Sequence, residues 1–362
     1  MDKHEDFFTI LQKITIDNTI PQEKALELFS PAAIWLQENT PTELYRFFRG
    51  CDRNIDALER NEIWGSRPYT FNDPFECLPC YDQKQIDEIL EIELDFDRIK
   101  HFFDQIRDGT LLPGMGHCVP TDLLERWRDQ IGKEGFYDNF EKQFPAIKDG
   151  IKQFFIQQSL NLFFDFYKSF SFSQYFQYVS CFTENRDASL MWAHYADSHK
   201  GFCLQFNWKK EIQQSGSAFL TSDYGVLAPV RYTATRYDAT SHMPSIMEQL
   251  LCNQGNIGIT PYFPDTLVTL KALLTKSFDW QYESEWRLIT FSYDPNNYLS
   301  SDDYRVQRQL KPTCVYIGAK MPVDQANKIY QICINQNIEC YKMYQSYSDK
   351  TFCVHPLPYE PT

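Results

Sequence analysis

Hydrophobic and polar positions divide the chain into stretches of different period. Leu44-Tyr45-Arg46-Phe47-Phe48 is a β-rich run, Asp52 to Arg60 repeats with a helical period, and Glu62 to Ser66 is a second short strand. Asn72-Asp73-Pro74 then predicts a turn, because a residue before proline is biased away from the helical region. From about 82 to 173 the pattern predicts helices. The acidic stretch Asp82 to Asp108 reads as a solvated face, whereas Ile151 to Tyr167 is apolar nearly all round and reads as buried. Strand-like runs return at Tyr178 to Phe182, Phe202 to Phe206, Tyr282 to Phe291 and Cys314 to Ile317, and a closing helix is expected over Val323 to Gln336. Residues 1–41, punctuated by Pro21, Pro31 and Pro41, read as an N-terminal helical extension. Residues 42–362 then form a single α+β domain with a mixed or antiparallel β core and a helical insertion lobe at about 82–173. Segment 207–275 carries the weakest pattern.

Composition narrows the function classes. With 43% hydrophobic and 23% charged residues over 362 positions, the chain is long and apolar enough for a substantial core. Its net charge of −14 argues against a broad nucleic-acid surface or an anionic lipid face. No stretch reaches the roughly 18 consecutive apolar residues of a membrane span, so no membrane partner is expected. The start Met-Asp-Lys-His-Glu-Asp lacks the basic and apolar runs of a secretory signal; the eleven cysteines are therefore read as reduced thiols in a cytoplasmic protein.

Three constellations carry candidate chemistry. Around Ser180-Cys181-Phe182-Thr183, a strand leads through Asp187, a suitable helix N-cap, into a helix of about three turns that bears Trp192, His194 and Tyr195 and ends near Gly201. Ser180 and Thr183 with Trp192 and Tyr195 suit a ribose and a planar ring, or simply pack in the core. Cys181, His194, His199 and Cys203 lack the close ligand pairs of a zinc site, and Cys77-x-x-Cys80 lacks a helix start to activate it, so no metal is assigned. In Tyr282-Glu283-Ser284-Glu285-Trp286-Arg287, a strand period of two places Glu283, Glu285 and Arg287 on one face. Those groups are either an ion-pair ladder or a pair of carboxylates that stabilise a developing cation and orient a nucleophile. Finally, Tyr45-Arg46 lies on an early strand with Ser66 on the next; Arg46 suits a pyrophosphate or pairs with Glu76 or Asp73.

Tyr45-Arg46, the block Ser66 to Glu76, Ser180-Cys181-Phe182, Met191-Trp192-x-His194-Tyr195-Ala196, Lys200-Gly201 and Tyr282-Glu283-x-Glu285-Trp286-Arg287 resemble, in order, the bacterial family called domain of unknown function 2971. More distantly, an early-strand Arg, a middle strand with Ser and Thr, and a late Glu-x-Glu are similar to ADP-ribosyltransferases, although Ser-Cys-Phe-Thr replaces their Ser-Thr-Ser run. That resemblance implies an ADP-ribosyltransferase-like fold. It also implies that NAD is split and ADP-ribose passed to an unidentified acceptor macromolecule or to water, in a bacterial defence or toxin role. Tyr45, Arg46, Ser66, Ser180, Thr183, Trp192 and Tyr195 would then bind the dinucleotide, Glu285 would be catalytic and Glu283 would orient the acceptor. The alternatives are a phosphodiesterase or nuclease using Asp73, Glu76, His194, Glu283 and Glu285 around divalent ions, and a module of a defence system that senses a nucleotide without turnover.

Overall fold

The computed structural model describes residues 3–17, 19–93, 95–110, 121–169, 175–215, 225–242, 265–293, 304–345, 350 and 354–361. Helices α1 (Lys3–Gln12) and α2 (Gln22–Asn39) precede β1 (Leu44–Phe48), α3 (Asp52–Glu59) and β2 (Glu62–Ser66). The helical region follows, with α4 (Gln83–Glu93), α5 (Phe96–Asp108), α6 (Thr121–Ile131) and α7 (Phe136–Ser169). Then come β3 (Tyr175–Thr183), α8 (Ser189–His194), β4 (Phe202–Phe206), α9 (Trp208–Ser215), β5 (Val226–Pro229), β6 (Arg231–Thr233), α10 (Val268–Leu273) and β7 (Thr275–Ser277). The chain closes with β8 (Glu285–Tyr293), β9 (Tyr304–Gln309), β10 (Cys314–Ile317), α11 (Val323–Gln336), β11 (Glu339–Gln345) and β12 (Val354–Pro358). The fold is α+β with a mixed sheet: β10 and β11 run parallel, joined through α11, and the other pairings of the large sheet are antiparallel.

The sheet forks at β3. One edge of this strand pairs along its whole length with β8, from Tyr175↔Tyr293 to Thr183↔Glu285, and β5 lies beyond β8. The opposite edge is shared, for β1 meets it at Tyr45↔Thr183 and β2 at Ser66↔Val179. From β1 the sheet continues through β4, β10, β11 and β12; from β2 it continues to β9. The Gln307 side chain fills the fork. Its Nε2 donates to the Tyr178 carbonyl at 2.6 Å and to Thr290 Oγ1 at 2.9 Å, while its Oε1 accepts from the Ser180 hydroxyl. Gly65 permits this passage, since a Cβ there would lie 2.4 Å from the Gln307 side chain.

Side chains alternate across the two faces of the sheet. One face carries Leu44, Phe182, Phe202, Leu204, Phe206, Trp286, Leu288, Val315 and Ile317, all buried in one core with Phe7, Phe8 and Leu11 of α1, Phe29, Ala32 and Leu36 of α2, and Ile329 and Cys333 of α11. Residues 3–39, which the sequence sets apart as an extension, thus supply part of the main core. α11 presents Ala326, Ile329, Ile332 and Cys333 at helical spacing and closes with Asn337 in the left-handed region (φ 53°), so its end needs no glycine. The other face carries Tyr45, Phe47, Cys203 and Tyr316, over which Met191 and Trp192 of α8 pack.

The structure differs from the pattern at two places that shape this second face. α8 has six residues instead of about three turns, because Asp197, Ser198 and His199 all take positive φ (47°, 55° and 71°) and turn the chain back. Asp187 does not cap it: Ala188 is the N-cap, and Asp187 pairs with Arg186. Three successive non-glycine residues in this conformation are costly. They are held by backbone bonds from Ser198 N to Ala193 O, from His199 N to Trp192 O and from Lys320 N to His199 O. The strand expected from Tyr282 begins only at Glu285. Residues Phe278–Glu283 form a 3-10 turn with the Ser277 hydroxyl accepting from Asp279 N, and Ser284 (φ 42°) makes the left-handed step into β8.

Candidate functional site

Because Ser284 turns left-handed, Glu283 and Glu285 converge from two different elements. Around them lies a buried charge cluster. Lys276, at the centre of β7, donates from Nζ to Glu283 Oε2 at 2.6 Å and Glu285 Oε2 at 2.9 Å, and lies 3.2 Å from Glu76 Oε1. Arg287 lies two residues along β8 on the same face as Glu285. Its Nε donates to Glu285 Oε1 at 2.8 Å, its Nη2 to Glu76, and its Nη1 to Cys77 Sγ at 3.1 Å and the Leu273 carbonyl. Glu283 is 3% exposed, Glu285 2% and Arg287 0%. Tyr195, just beyond α8, donates its hydroxyl to Glu283 Oε1 at 2.6 Å, and the Glu285 N–H donates to Tyr232 Oη at 2.8 Å.

Among the described residues three carboxylates therefore meet two cations, and one negative charge is in surplus. The two glutamates of the turn resolve it differently. Burial, and then the charge of Glu285, push the pKa of Glu283 up, against the opposing pull of Lys276 and Tyr195. Glu285 is also penalised by burial, but Arg287 and Lys276 outweigh that and hold it well below the usual carboxylate range. Glu283 is thus the group that takes a proton most readily, and Glu285 is a fixed charge. Cys77 and Cys181 are pushed up by burial, Cys77 to about 12, so neither is a reactive thiol.

The sequence-nominated residues divide between the faces of the sheet. Thr183, Glu285, Cys181 and Arg287 share one face by the register of β3 with β8, and Tyr45 joins them opposite Thr183. Thr183 itself accepts from the Asn185 N–H, while Tyr45 Oη donates to Glu43. Arg46 and Ser180 project to the other face, where Arg46 Nη2 donates to the Trp64 carbonyl at 2.7 Å and Ser180 Oγ lies 2.9 Å from the same oxygen. Arg46 lies over the rings of Phe48 and Phe182, and its Nη1 is buried without a hydrogen-bond partner among the described residues. Burial lowers its pKa to about 10. The structure brings Arg46 to Ser180 but not to Glu285. Ser66 pairs with Val179 beside the fork, away from the Lys276 contacts. Trp192 is fully buried, with its N–H on the Arg186 carbonyl and its ring edge-on to Phe47.

Several aromatic side chains lie close to the charge cluster. His194 and Tyr282 have ring centroids 6.5 Å apart, Trp280 and Tyr282 6.2 Å, and Lys276 Nζ lies 5.2 Å over the Trp280 ring. Trp280 donates to Asp73 Oδ2 at 2.8 Å. Sequence reading found Glu283, Glu285 and Tyr195 but missed Lys276 and Tyr232. Residues 191–288 match the family model described as Protein of unknown function (DUF2971). No curated protein and no solved structure matches the chain. The DUF2971 segment contains Tyr195, Tyr232, Lys276, Glu283, Glu285 and Arg287, whereas Glu76 of the same cluster lies before it. Lys276 occupies the position among the carboxylates that a divalent ion would take.

Proposed function

We propose that this chain binds a nicotinamide dinucleotide over the aromatic side chains around Glu283 and breaks its nicotinamide–ribose bond, passing ADP-ribose to an acceptor hydroxyl or to water. The observation that carries this reading is the single surplus carboxylate, Glu283, held between the Tyr195 hydroxyl and Lys276. In the reaction the C1′–N bond breaks and its electron pair stays with nicotinamide nitrogen. Negative carboxylate stabilises the cationic ribose centre as it forms. The acceptor oxygen then bonds to C1′, and its proton passes to Glu283. A base suited to this step needs a pKa raised toward the working pH, which burial and Glu285 supply. Glu285, immobilised by Arg287 and Lys276, is a positioning residue that sets Lys276 and the pKa of Glu283. Tyr282 and Trp280 offer stacking faces for the departing ring. Arg46, on the far face, has no part in this step.

Nicotinamide release from NAD, measured with water, protein, DNA and RNA as acceptors, tests the reading. Wild type is expected to release nicotinamide and Glu283→Gln to lose about 100-fold or more in rate. No release with any acceptor overturns it; nucleotide binding without release would leave a sensing module in its place.

A further inference from the structure

A cleft of about 60 Å³ opens beside the cluster, with room for a few waters or one phosphate-sized group. Asp73, Glu76, Thr235, Arg236 and Lys276 line it. We infer that this cleft is a phosphate subsite whose principal contact is Arg236, and that it takes a phosphate of the nucleotide whose glycosidic bond lies over Glu283. The position of that bond rests on the reading above; the phosphate subsite itself does not.

The two lining carboxylates are already engaged. Asp73 accepts from Trp280 Nε1 at 2.8 Å and from the Phe75 N–H at 2.8 Å, and Glu76 accepts from Arg287 and forms an ion pair with Lys276 at 3.2 Å. Arg236 is different. It is exposed, gives one long bond to the Pro79 carbonyl at 3.4 Å, and makes no ion pair among the described residues. In a chain with 49 acidic residues against 35 basic ones, an arginine at a cleft mouth with no carboxylate partner among the described residues keeps Nε and Nη2 as a pair of donors beside the Nη1 that meets Pro79. That geometry matches phosphate oxygens. Thr235 adds a hydroxyl. The guanidinium lies 5.8 Å from the ring centroid of Phe75, which is 65% exposed, and Phe278, 52% exposed, directly follows Ser277 of the cleft lining. A group too large for the cleft would meet these rings. Lys276 forms part of the cleft wall and bonds to Glu283, so the phosphate and the reacting bond would lie on two sides of one side chain.

The test uses the full chain, with inorganic phosphate, ADP-ribose and adenosine as probes in thermal-shift and calorimetric titrations. Phosphate and ADP-ribose should stabilise wild type. Arg236→Ala should weaken ADP-ribose at least 10-fold and leave adenosine unchanged, and Arg236→Lys, which keeps the charge but loses the fork, should recover part of the affinity. Equal ADP-ribose affinity in wild type and Arg236→Ala, or no response to phosphate and ADP-ribose at millimolar concentration, overturns the subsite. The two readings fail separately. Arg236-dependent ADP-ribose binding without nicotinamide release keeps the subsite and removes the reaction, whereas nicotinamide release with an unchanged KM in Arg236→Ala keeps the reaction and removes the subsite.

Discussion

Two buried lysines five positions apart do opposite work. Lys271, on α10, donates to Asp265 Oδ2 at 2.5 Å and to the Ile14 carbonyl at 2.8 Å, and Asp265 Oδ1 accepts further bonds from the N–H groups of Leu267 and Ile16. One charge meets one charge, and the result fastens the segment after α1 to the domain. Lys276 is equally buried, but among the described residues its surroundings hold three carboxylates and one other cation. Burial of charge alone therefore marks nothing functional. An unequal count does, because the excess must be met by a proton, by a ligand or by a reaction.

The comparison can be broken by removing each lysine. Lys276→Met leaves three buried carboxylates to Arg287 and should cost about 3–5 kcal/mol, the range for orphaning a buried charge. Lys271→Met should cost less, about 2–3 kcal/mol, because Asp265 keeps its two backbone donors. Urea unfolding of both variants orders them, and a reversed order would discard the unequal-count account.

Glu283→Gln sharpens it further. The substitution removes the surplus charge while keeping the shape, so stability at neutral pH should change by only about 1 kcal/mol while nicotinamide release is lost. Its pH profile is the cleaner readout. The folded pKa of Glu283 lies above its ordinary value of 4.5, so its contribution to stability is fully present below that value and is lost as pH rises through the folded pKa. Thermal melts from pH 4.5 upward should show this fall in wild type and not in Glu283→Gln. Glu285 acts in the reverse sense, losing its contribution only as pH falls below its ordinary range. The smallest effect is expected from Tyr195→Phe. Loss of the 2.6 Å bond should cost about 1 kcal/mol and move the acid limb of the rate profile to higher pH, because ionised Glu283 loses a donor.

Elements with a clear period were legible in the sequence. β1, β2, β4, β10 and α11 fall where the hydrophobic pattern places them, and the match at 191–288 covers the last three of the six motifs that carried the family resemblance. The site was legible only in part. Glu283 and Glu285 stood out as neighbours, but a strand period assigned them one face, whereas a 3-10 turn and a left-handed serine bring them together. Serine is not a residue from which that step is read. Lys276 follows Leu273-Leu274-Thr275 in a segment with no clear period, and its three carboxylate partners lie from 7 to 200 positions away, so nothing local announces it. The three left-handed residues after α8 were equally silent, since Asp197, Ser198 and His199 are not residues from which three such steps are read, and the Lys320 N–H that bonds the His199 carbonyl comes from far along the chain.

The surplus carboxylate also has a calorimetric consequence. Between the ordinary carboxylate range and the raised pKa of Glu283, folding draws a proton from solution, and unfolding returns it to the buffer. The heat absorbed on melting must then include the enthalpy of protonating whichever buffer is present. MES and imidazole at one pH would report different unfolding enthalpies for the same protein, and their difference would count the protons held by the fold.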